Sequence, residues 1–174
     1  MFTHDKITGI EVDIIDACGL RCPVCSRNSK ATLMNLKGTK KYLSLEDNIE
    51  IFERFKNIKT VFFCGVRSEP SLYPFLIELI TYLKSRDVHI TISTNGNSRS
   101  VEWWNDLGSS LSSYDEVLFA IDGSTQEIYS HYRIGGKLEK VLEHHNSFKQ
   151  SSECKTTLQF IQFRYNIDDL DNIR

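Results

Sequence analysis

The sequence predicts an α/β fold in which about five parallel strands form an open sheet or a partial barrel. Apolar, β-rich segments recur along the chain with helical patterns between them, which is typical of parallel sheets. Right-handed crossovers between consecutive strands would wind the sheet into one of these two forms. The five predicted strands are IEVDII (10–15), TVFFC (60–64), VHITIS (88–93), EVLFAI (116–121) and TLQFIQF (157–163).

Helices are predicted between these strands. Ser44 is expected to cap the first helix, and Pro74 suits the first turn of the second. The segment SVEWWNDLGSSL predicts a third helix, and Ser124 with Glu127 fits a capping box for the next. Apolar residues mark three helix faces: Leu45, Ile49, Phe52 and Phe55; Leu76, Leu79, Ile80 and Leu83; and Leu138, Val141, Leu142 and Phe148.

Length and composition indicate one globular domain spanning residues 1–174. The 174 residues are 40% hydrophobic, and the net charge of −2 argues against a broad nucleic-acid surface while leaving a local basic patch open. No apolar run reaches the length of a membrane span, and no signal-peptide core is present, so we expect a cytoplasmic protein. The chain stops soon after the fifth strand, which suggests a shortened or incomplete unit.

Three cysteines are clustered in DACGLRCPVCSRN (16–28), where Cys18, Cys22 and Cys25 have the spacing C-x3-C-x2-C. Thiolates are soft ligands that select iron–sulfur clusters, zinc or copper(I). Three of them can hold an iron–sulfur cluster with one open iron. They can also form a zinc site if Cys64 or Cys154 supplies the fourth ligand.

Unusual residues follow every other predicted strand as well. The segments are CGVRSEPSLYP (64–74), STNG (93–96), DGS (122–124) and RYN (164–166). Because ligands bind at the carboxyl ends of parallel strands, these segments and the cysteine loop are predicted to surround one pocket.

Together these segments resemble the radical S-adenosylmethionine (radical SAM) superfamily. C-x3-C-x2-C after the first strand is the signature of that family. FFCGVRSEP resembles its strand-two segment and ISTNG its strand-three segment. FAIDGSTQEIYSHYRIGGKLEKVLEH resembles the branch of sulfatase-maturing and peptide-modifying (SPASM-type) enzymes, here without the C-terminal auxiliary-cluster region. The resemblance covers roughly residues 8 to 166.

The resemblance implies a shortened partial (β/α) barrel, a 4Fe-4S cluster on Cys18, Cys22 and Cys25, and S-adenosylmethionine on the open iron. The backbone near Val24 would lie beside the adenine. The turn from Gly65 to Pro70 would offer carbonyls to the ammonium group, and Arg133 would pair with the carboxylate. The full implied cofactor-binding set is Val24, Gly65, Ser68, Glu69, Pro70, Ser93, Asn95, Asp122 and Arg133.

The implied activity is reductive cleavage of S-adenosylmethionine followed by hydrogen-atom abstraction from a substrate such as a peptide or protein side chain. A flavodoxin, ferredoxin or reductase would supply the electron. The alternative is a non-catalytic iron–sulfur or zinc-binding accessory domain. No catalytic side chain is identified, although Cys64 is a speculative candidate because it ends the second strand. His144 and His145 are expected to be surface or packing residues.

The sequence also departs from the family pattern. Val24 stands where an aromatic residue is frequent, Ser68 replaces a glycine, and Ala120 stands where serine is common. A sixth strand, which the family barrel usually has, is not expected within residues 1–174.

Overall fold

The computed structural model describes residues 4–28 and 42–173 and contains one five-stranded sheet in the order β1-β2-β3-β4-β5. Every neighbouring pair of strands is parallel. The strands are β1 (Gly9–Val12), β2 (Thr60–Phe63), β3 (His89–Thr94), β4 (Glu116–Ala120) and β5 (Lys155–Gln159). Sequential order with open edges is the arrangement of a partial barrel, and the predicted fold class is therefore confirmed.

Five α-helices connect and follow the strands in the described part of the chain. They are α1 (Leu45–Glu53), α2 (Leu76–Ser85), α3 (Val101–Ser110), α4 (Gln126–Tyr132) and α5 (Leu138–Ser151). The Ser44 hydroxyl accepts the Asp47 N–H, which confirms the predicted cap of α1. None of these helices is long and apolar enough to cross a membrane.

The core lies between the helices and one face of the sheet. In β3, Ile90 and Ile92 are buried against the helices, while Thr91 and Ser93 point to the other, partly open face. The same alternation runs through β2 and β4. The core face thus fixes which residues of each strand point away from the helices.

Strand and helix boundaries differ from the prediction at four places. The fifth strand covers Lys155–Gln159 instead of 157–163, because the Ile161 N–H turns to donate to the Asp122 carboxylate at 2.7 Å. The fourth helix is capped by Thr125, whose hydroxyl accepts the Ile128 N–H, so the predicted Ser124 capping box is wrong. Ser124 instead donates its hydroxyl and its N–H to Asp169.

The other two differences lie at the first strand and the second helix. β1 ends at Val12 instead of residue 15, and Ile15 forms an isolated bridge with Tyr42. Helix α2 begins at Leu76, so Pro74 precedes the helix instead of standing in its first turn.

Candidate functional site

A cavity of about 380 Å³ lies at the carboxyl ends of the strands. The loops after β1, β2 and β3 form most of its wall, and β4 and the end of α4 close it. The described residues that line it are Cys18, Leu20, Cys22, Val24, Cys25, Ser26, Gly65, Val66, Arg67, Ser68, Glu69, Ser93, Thr94, Asn95, Ala120, Tyr132 and Arg133. The structure therefore brings all three clustered cysteines together with most of the predicted cofactor residues.

The cysteine loop is shaped by its own backbone. The Cys22 carbonyl accepts the Cys25 N–H at 3.1 Å and the Asn28 side-chain amide at 3.0 Å. Burial raises the pKa of the Cys18 and Cys22 thiols, although Arg133 opposes the shift at Cys22. A metal that binds here must therefore displace protons from these thiols.

Arg27 connects the cysteine loop to its neighbours, a role that no pattern in the sequence indicated. Its guanidinium pairs with the Asp16 carboxylate at 2.7 Å and donates to the Arg67 carbonyl at 2.9 Å. The Arg27 side chain is 16% exposed. Arg27 thereby links the loop after β1 to the loop after β2.

The loop after β2 makes a tight turn beside the cysteines. A side chain at Gly65 would place its Cβ 2.6 Å from the Ser68 carbonyl oxygen, so the turn requires glycine there. The Ser68 hydroxyl donates to Asp13 at 2.6 Å, and the Glu69 N–H donates to the Ala17 carbonyl at 2.8 Å. The turn is thus fastened to the end of β1 on both sides.

Glu69 is 1% exposed and connects the loops after β2 and β3. One carboxylate oxygen accepts from the Ser71 N–H, the Ser71 hydroxyl and the Thr94 hydroxyl, and the other accepts the Asn95 N–H at 2.8 Å. All of these partners belong to the protein. Glu69 therefore connects the turn after β2 to the end of β3.

Replacing Glu69 with glutamine is expected to destabilise the apoprotein by about 1–3 kcal/mol, because the new NH₂ group faces buried donors and cannot accept from them. Urea unfolding followed by circular dichroism measures this change. Ser71→Ala removes a single donor to the carboxylate and serves as the milder control. An unchanged midpoint for Glu69→Gln would show that the carboxylate does not brace the turn.

Asn95 lies at the end of β3 and is 7% exposed. Its side-chain nitrogen lies 3.6 Å from the Cys18 sulfur, and its side-chain oxygen accepts the Asn97 N–H at 3.0 Å. The Leu20 N–H also points to the Cys18 sulfur at 3.5 Å. The predicted cofactor residue thus contacts a predicted cluster ligand.

Asp122 and Arg133 form a buried ion pair behind the cavity wall. The Arg133 Nε lies 2.5 Å from an Asp122 oxygen, with side chains 15% and 0% exposed. A second Arg133 nitrogen lies 4.0 Å from the Cys22 sulfur. Burial would lower the pKa of Arg133, but Asp122 and Cys22 together raise it. Arg133 is therefore a fixed positive charge beside the cysteines, and Asp122 positions it.

His144 was expected to be a surface or packing residue, and it is buried at 1% exposure. The ring stacks on Trp104, and its Nδ1 lies 2.7 Å from the carbonyl oxygen of Gly96 in the turn after β3. Burial lowers the pKa of His144. Its three- and four-residue spacing from Val141 and Phe148 was the sequence signal that it faces the core.

Ser93 reaches across the sheet from β3 to β5. Its hydroxyl donates to the Gln159 side-chain oxygen at 3.3 Å, and Ala120 on β4 is the sheet partner of Gln159. A small residue on the intervening strand leaves room for this contact. Gln159 is thus a polar neighbour of the cavity that the sequence did not indicate.

Three predicted residues lie outside the described cavity lining. Pro70 begins a short 3₁₀ helix. The Asp122 carboxylate pairs with Arg133 and accepts the Ile161 N–H. Cys64 is buried next to Glu11, and burial raises its pKa to about 11. The RYN segment does not reach the cavity lining either, because Asn166 is 1% exposed and donates to the Asp122 carbonyl.

Within residues 4–28 and 42–173, no three His, Cys, Asp or Glu side chains are placed to hold one metal ion. Cys154 precedes β5 and lies at the amino end of the sheet, away from the cysteine loop. It therefore cannot act as the fourth zinc ligand.

A second, larger cavity of about 560 Å³ lies between β1 and α1. Its wall is mainly apolar, with Ile10, Val12 and Phe52 among the residues. It contains none of the cysteines and none of the predicted cofactor residues.

The comparisons with known proteins agree with this geometry. Residues 12–174 match the family model described as the Radical SAM superfamily. A curated relative from Pyrococcus furiosus, the tungsten-containing aldehyde ferredoxin oxidoreductase cofactor-modifying protein, is 27% identical over 111 residues. That match covers 64% of this chain and 30% of the relative.

Two solved structures share the fold. SuiB of Streptococcus suis, bound to the precursor peptide SuiA, has a TM-score of 0.70 at 15% identity, covering 94% of this chain and 36% of SuiB. The protein anSMEcpe, solved with bound AdoMet and a peptide, has a TM-score of 0.64 at 19% identity, covering 87% of this chain and 42% of anSMEcpe. This chain therefore spans less than half the length of each of these three proteins.

Proposed function

The chain belongs to the radical SAM superfamily, and from this premise we propose that it uses a 4Fe-4S cluster on Cys18, Cys22 and Cys25 to cleave S-adenosylmethionine reductively. The observation that carries the proposal is the shared cavity. It joins the three cysteines to the turns after β2 and β3 and to Arg133. Part of the proposal is that residues 1–174 form one core domain.

The donor set suits such a cluster. Three thiols that line one cavity match, as thiolates, a cubane that keeps one iron for an exogenous ligand. Burial raises the pKa of the Cys22 and Cys18 thiols, and the positive charges of Arg133 and Arg27 oppose that rise. Five cysteines without a disulfide among them also agree with a cytoplasmic location, which belongs to the proposal.

The cavity walls offer contacts for the remaining cofactor. The Glu69 and Ser68 side chains are held by protein groups, so their contribution is to fix the Gly65–Pro70 backbone whose carbonyls would face the ammonium group. Arg133 keeps a guanidinium edge for the carboxylate, while Asp122 holds its Nε. Val24 is 74% exposed and is available to cover an adenine ring.

The remaining residues of the set, Ser93 and Asn95, would lie beside the ribose and the methionine part. When bound, the cluster and S-adenosylmethionine together supply reductive cleavage and hydrogen-atom abstraction. The chain's own residues orient the cofactor against the cysteines.

The proposed substrate is a peptide or protein side chain. This rests on the fold shared with SuiB and anSMEcpe, both solved with peptides, and on the SPASM-type sequence resemblance. The electron donor would be a flavodoxin, a ferredoxin or a reductase. No described side chain is assigned to proton or hydrogen transfer, and Cys64 stays a speculative candidate.

Anaerobic reconstitution with iron and sulfide tests the proposal. We expect 4Fe-4S absorbance and an electron paramagnetic resonance spectrum that changes when S-adenosylmethionine is added. Addition of a reductant is expected to release 5′-deoxyadenosine. A cluster without cleavage would favour the accessory-domain alternative, and bound zinc without any cluster would exclude both iron-based functions.

A further inference from the structure

The turn after β3 directs one side-chain donor at a cysteine sulfur. Asn95 Nδ2 lies 3.6 Å from Cys18 Sγ, which is within the range of N–H···S hydrogen bonds. Asn95 is 7% exposed, so this donor is almost withdrawn from water. The electrostatic interaction of such a buried amide with a neighbouring thiolate is stronger than it would be in water.

The orientation of the Asn95 amide is fixed by its other end. Asn95 Oδ1 accepts the Asn97 N–H at 3.0 Å. The flipped amide would place its NH₂ group against that N–H, donor against donor, and would turn its oxygen toward the thiolate. Only the observed orientation satisfies both contacts, and it points the NH₂ group at Cys18.

The backbone of this residue is held independently of its side chain. The Asn95 N–H donates to Glu69 at 2.8 Å, and the carbonyl of the next residue, Gly96, contacts His144 at 2.7 Å. Gly96 has a φ of 65°, a left-handed conformation that glycine adopts without strain. The backbone contacts therefore hold the Asn95 side-chain amide in place beside the Cys18 sulfur.

We propose that the Asn95 side-chain amide donates a hydrogen bond to the Cys18 thiolate and thereby raises the reduction potential of the cluster. This inference rests on the proposed function. One-electron reduction adds negative charge to the thiolates and sulfides, so a donor at a ligand sulfur stabilises the reduced state more than the oxidised state. Asn95 is a positioning residue that acts through Cys18. It makes the cluster easier to reduce by the external electron donor, in addition to its implied place beside the cofactor.

Asn95 is better suited to this test than Arg133, which lies 4.0 Å from the Cys22 sulfur. Arg133 carries a charge, so its removal changes the electrostatic potential of the whole site. Asparagine is neutral, and Asn95→Leu removes the donor with the same number of side-chain heavy atoms and no change in net charge. The backbone bond to Glu69 is kept.

The experiment is a redox titration of the reconstituted full chain without S-adenosylmethionine, followed by electron paramagnetic resonance. We expect a more negative midpoint potential for Asn95→Leu and for the smaller variant Asn95→Ala, at wild-type iron and sulfide content. Cys154→Ser changes a buried residue at the opposite end of the sheet, and its midpoint potential is expected to match that of the wild type. Wild-type midpoints in both Asn95 variants would overturn the inference.

A second measurement uses the wild type and does not depend on the variants. With nitrogen-15 in the asparagine side chains, pulsed resonance of the reduced cluster should show a coupled amide nitrogen, and its absence would overturn the inference. Failure of the proposed function has a different signature, because the wild type would then hold no cluster or would not cleave S-adenosylmethionine.

Discussion

Replacing Cys22 with alanine is expected to abolish cluster assembly and the release of 5′-deoxyadenosine. Cys22 is 6% exposed and lies beside Arg133 at the wall of the cavity. Its contacts with Cys25 and Asn28 use the Cys22 carbonyl oxygen, so alanine keeps the loop and removes only the sulfur. The loss should exceed the roughly 10- to 100-fold effect of removing a residue that only supports a metal ligand.

The measurements are the iron and acid-labile sulfide content per chain after anaerobic reconstitution, and the amount of 5′-deoxyadenosine formed per chain. Cys154→Ser is the matched control, because Cys154 is buried at the opposite end of the sheet, and it is expected to retain a full cluster. A complete, active cluster in Cys22→Ala would contradict the assigned ligand set.

Cys64→Ser completes the series. A thiol with a pKa of about 11 is protonated at neutral pH, so Cys64 is not a ready nucleophile. Full turnover by Cys64→Ser would remove its speculative catalytic role.

Replacing Asp122 with alanine is expected to cost about 3–5 kcal/mol of stability, because it leaves the Arg133 guanidinium buried without its carboxylate. The same change removes the acceptor of the Ile161 N–H, which turns the chain after β5. The two losses affect the part of the site formed by Arg133 and by the chain after β5. The affinity for S-adenosylmethionine should fall as well, since Arg133 would no longer be held in place.

Chemical unfolding of the apoprotein and equilibrium binding of S-adenosylmethionine to the reconstituted protein measure the two effects. The control is Glu50→Ala, which breaks the exposed pair with Arg54, with side chains 69% and 58% exposed, and should change stability by about 0.5 kcal/mol or less. The double variant Asp122→Leu/Arg133→Met should recover part of the stability, because it leaves no unpaired buried charge. Equal losses in Asp122→Ala and Glu50→Ala would show that the buried pair contributes little.

The sequence was sufficient for the order of elements and for the presence of three cysteines in one loop. The alternation of apolar residues in VHITIS and EVLFAI indicates which face of each strand is buried. Burial alternates in the same way in β3 and β4 of the structure. The C-x3-C-x2-C spacing needed no tertiary information, because the three residues lie in one loop. Element ends were less certain, as the early end of β5 shows, because a tertiary contact between Ile161 and Asp122 competed with strand pairing.

Only the tertiary structure decided which of the predicted residues contact the cysteines and which of them support the surrounding loops. Three of these residues, Glu69, Asp122 and Asn166, are nearly inaccessible to solvent, and their polar groups bond to protein partners from other loops. Arg133 and Asn95, in contrast, contact the cysteines. Such partners are far apart in sequence, as with Asn95 and Cys18 at a separation of 77 residues. Periodicity and spacing describe neighbours along the chain. The contacts that support this site are made across the ends of parallel strands, where only folding brings the residues together.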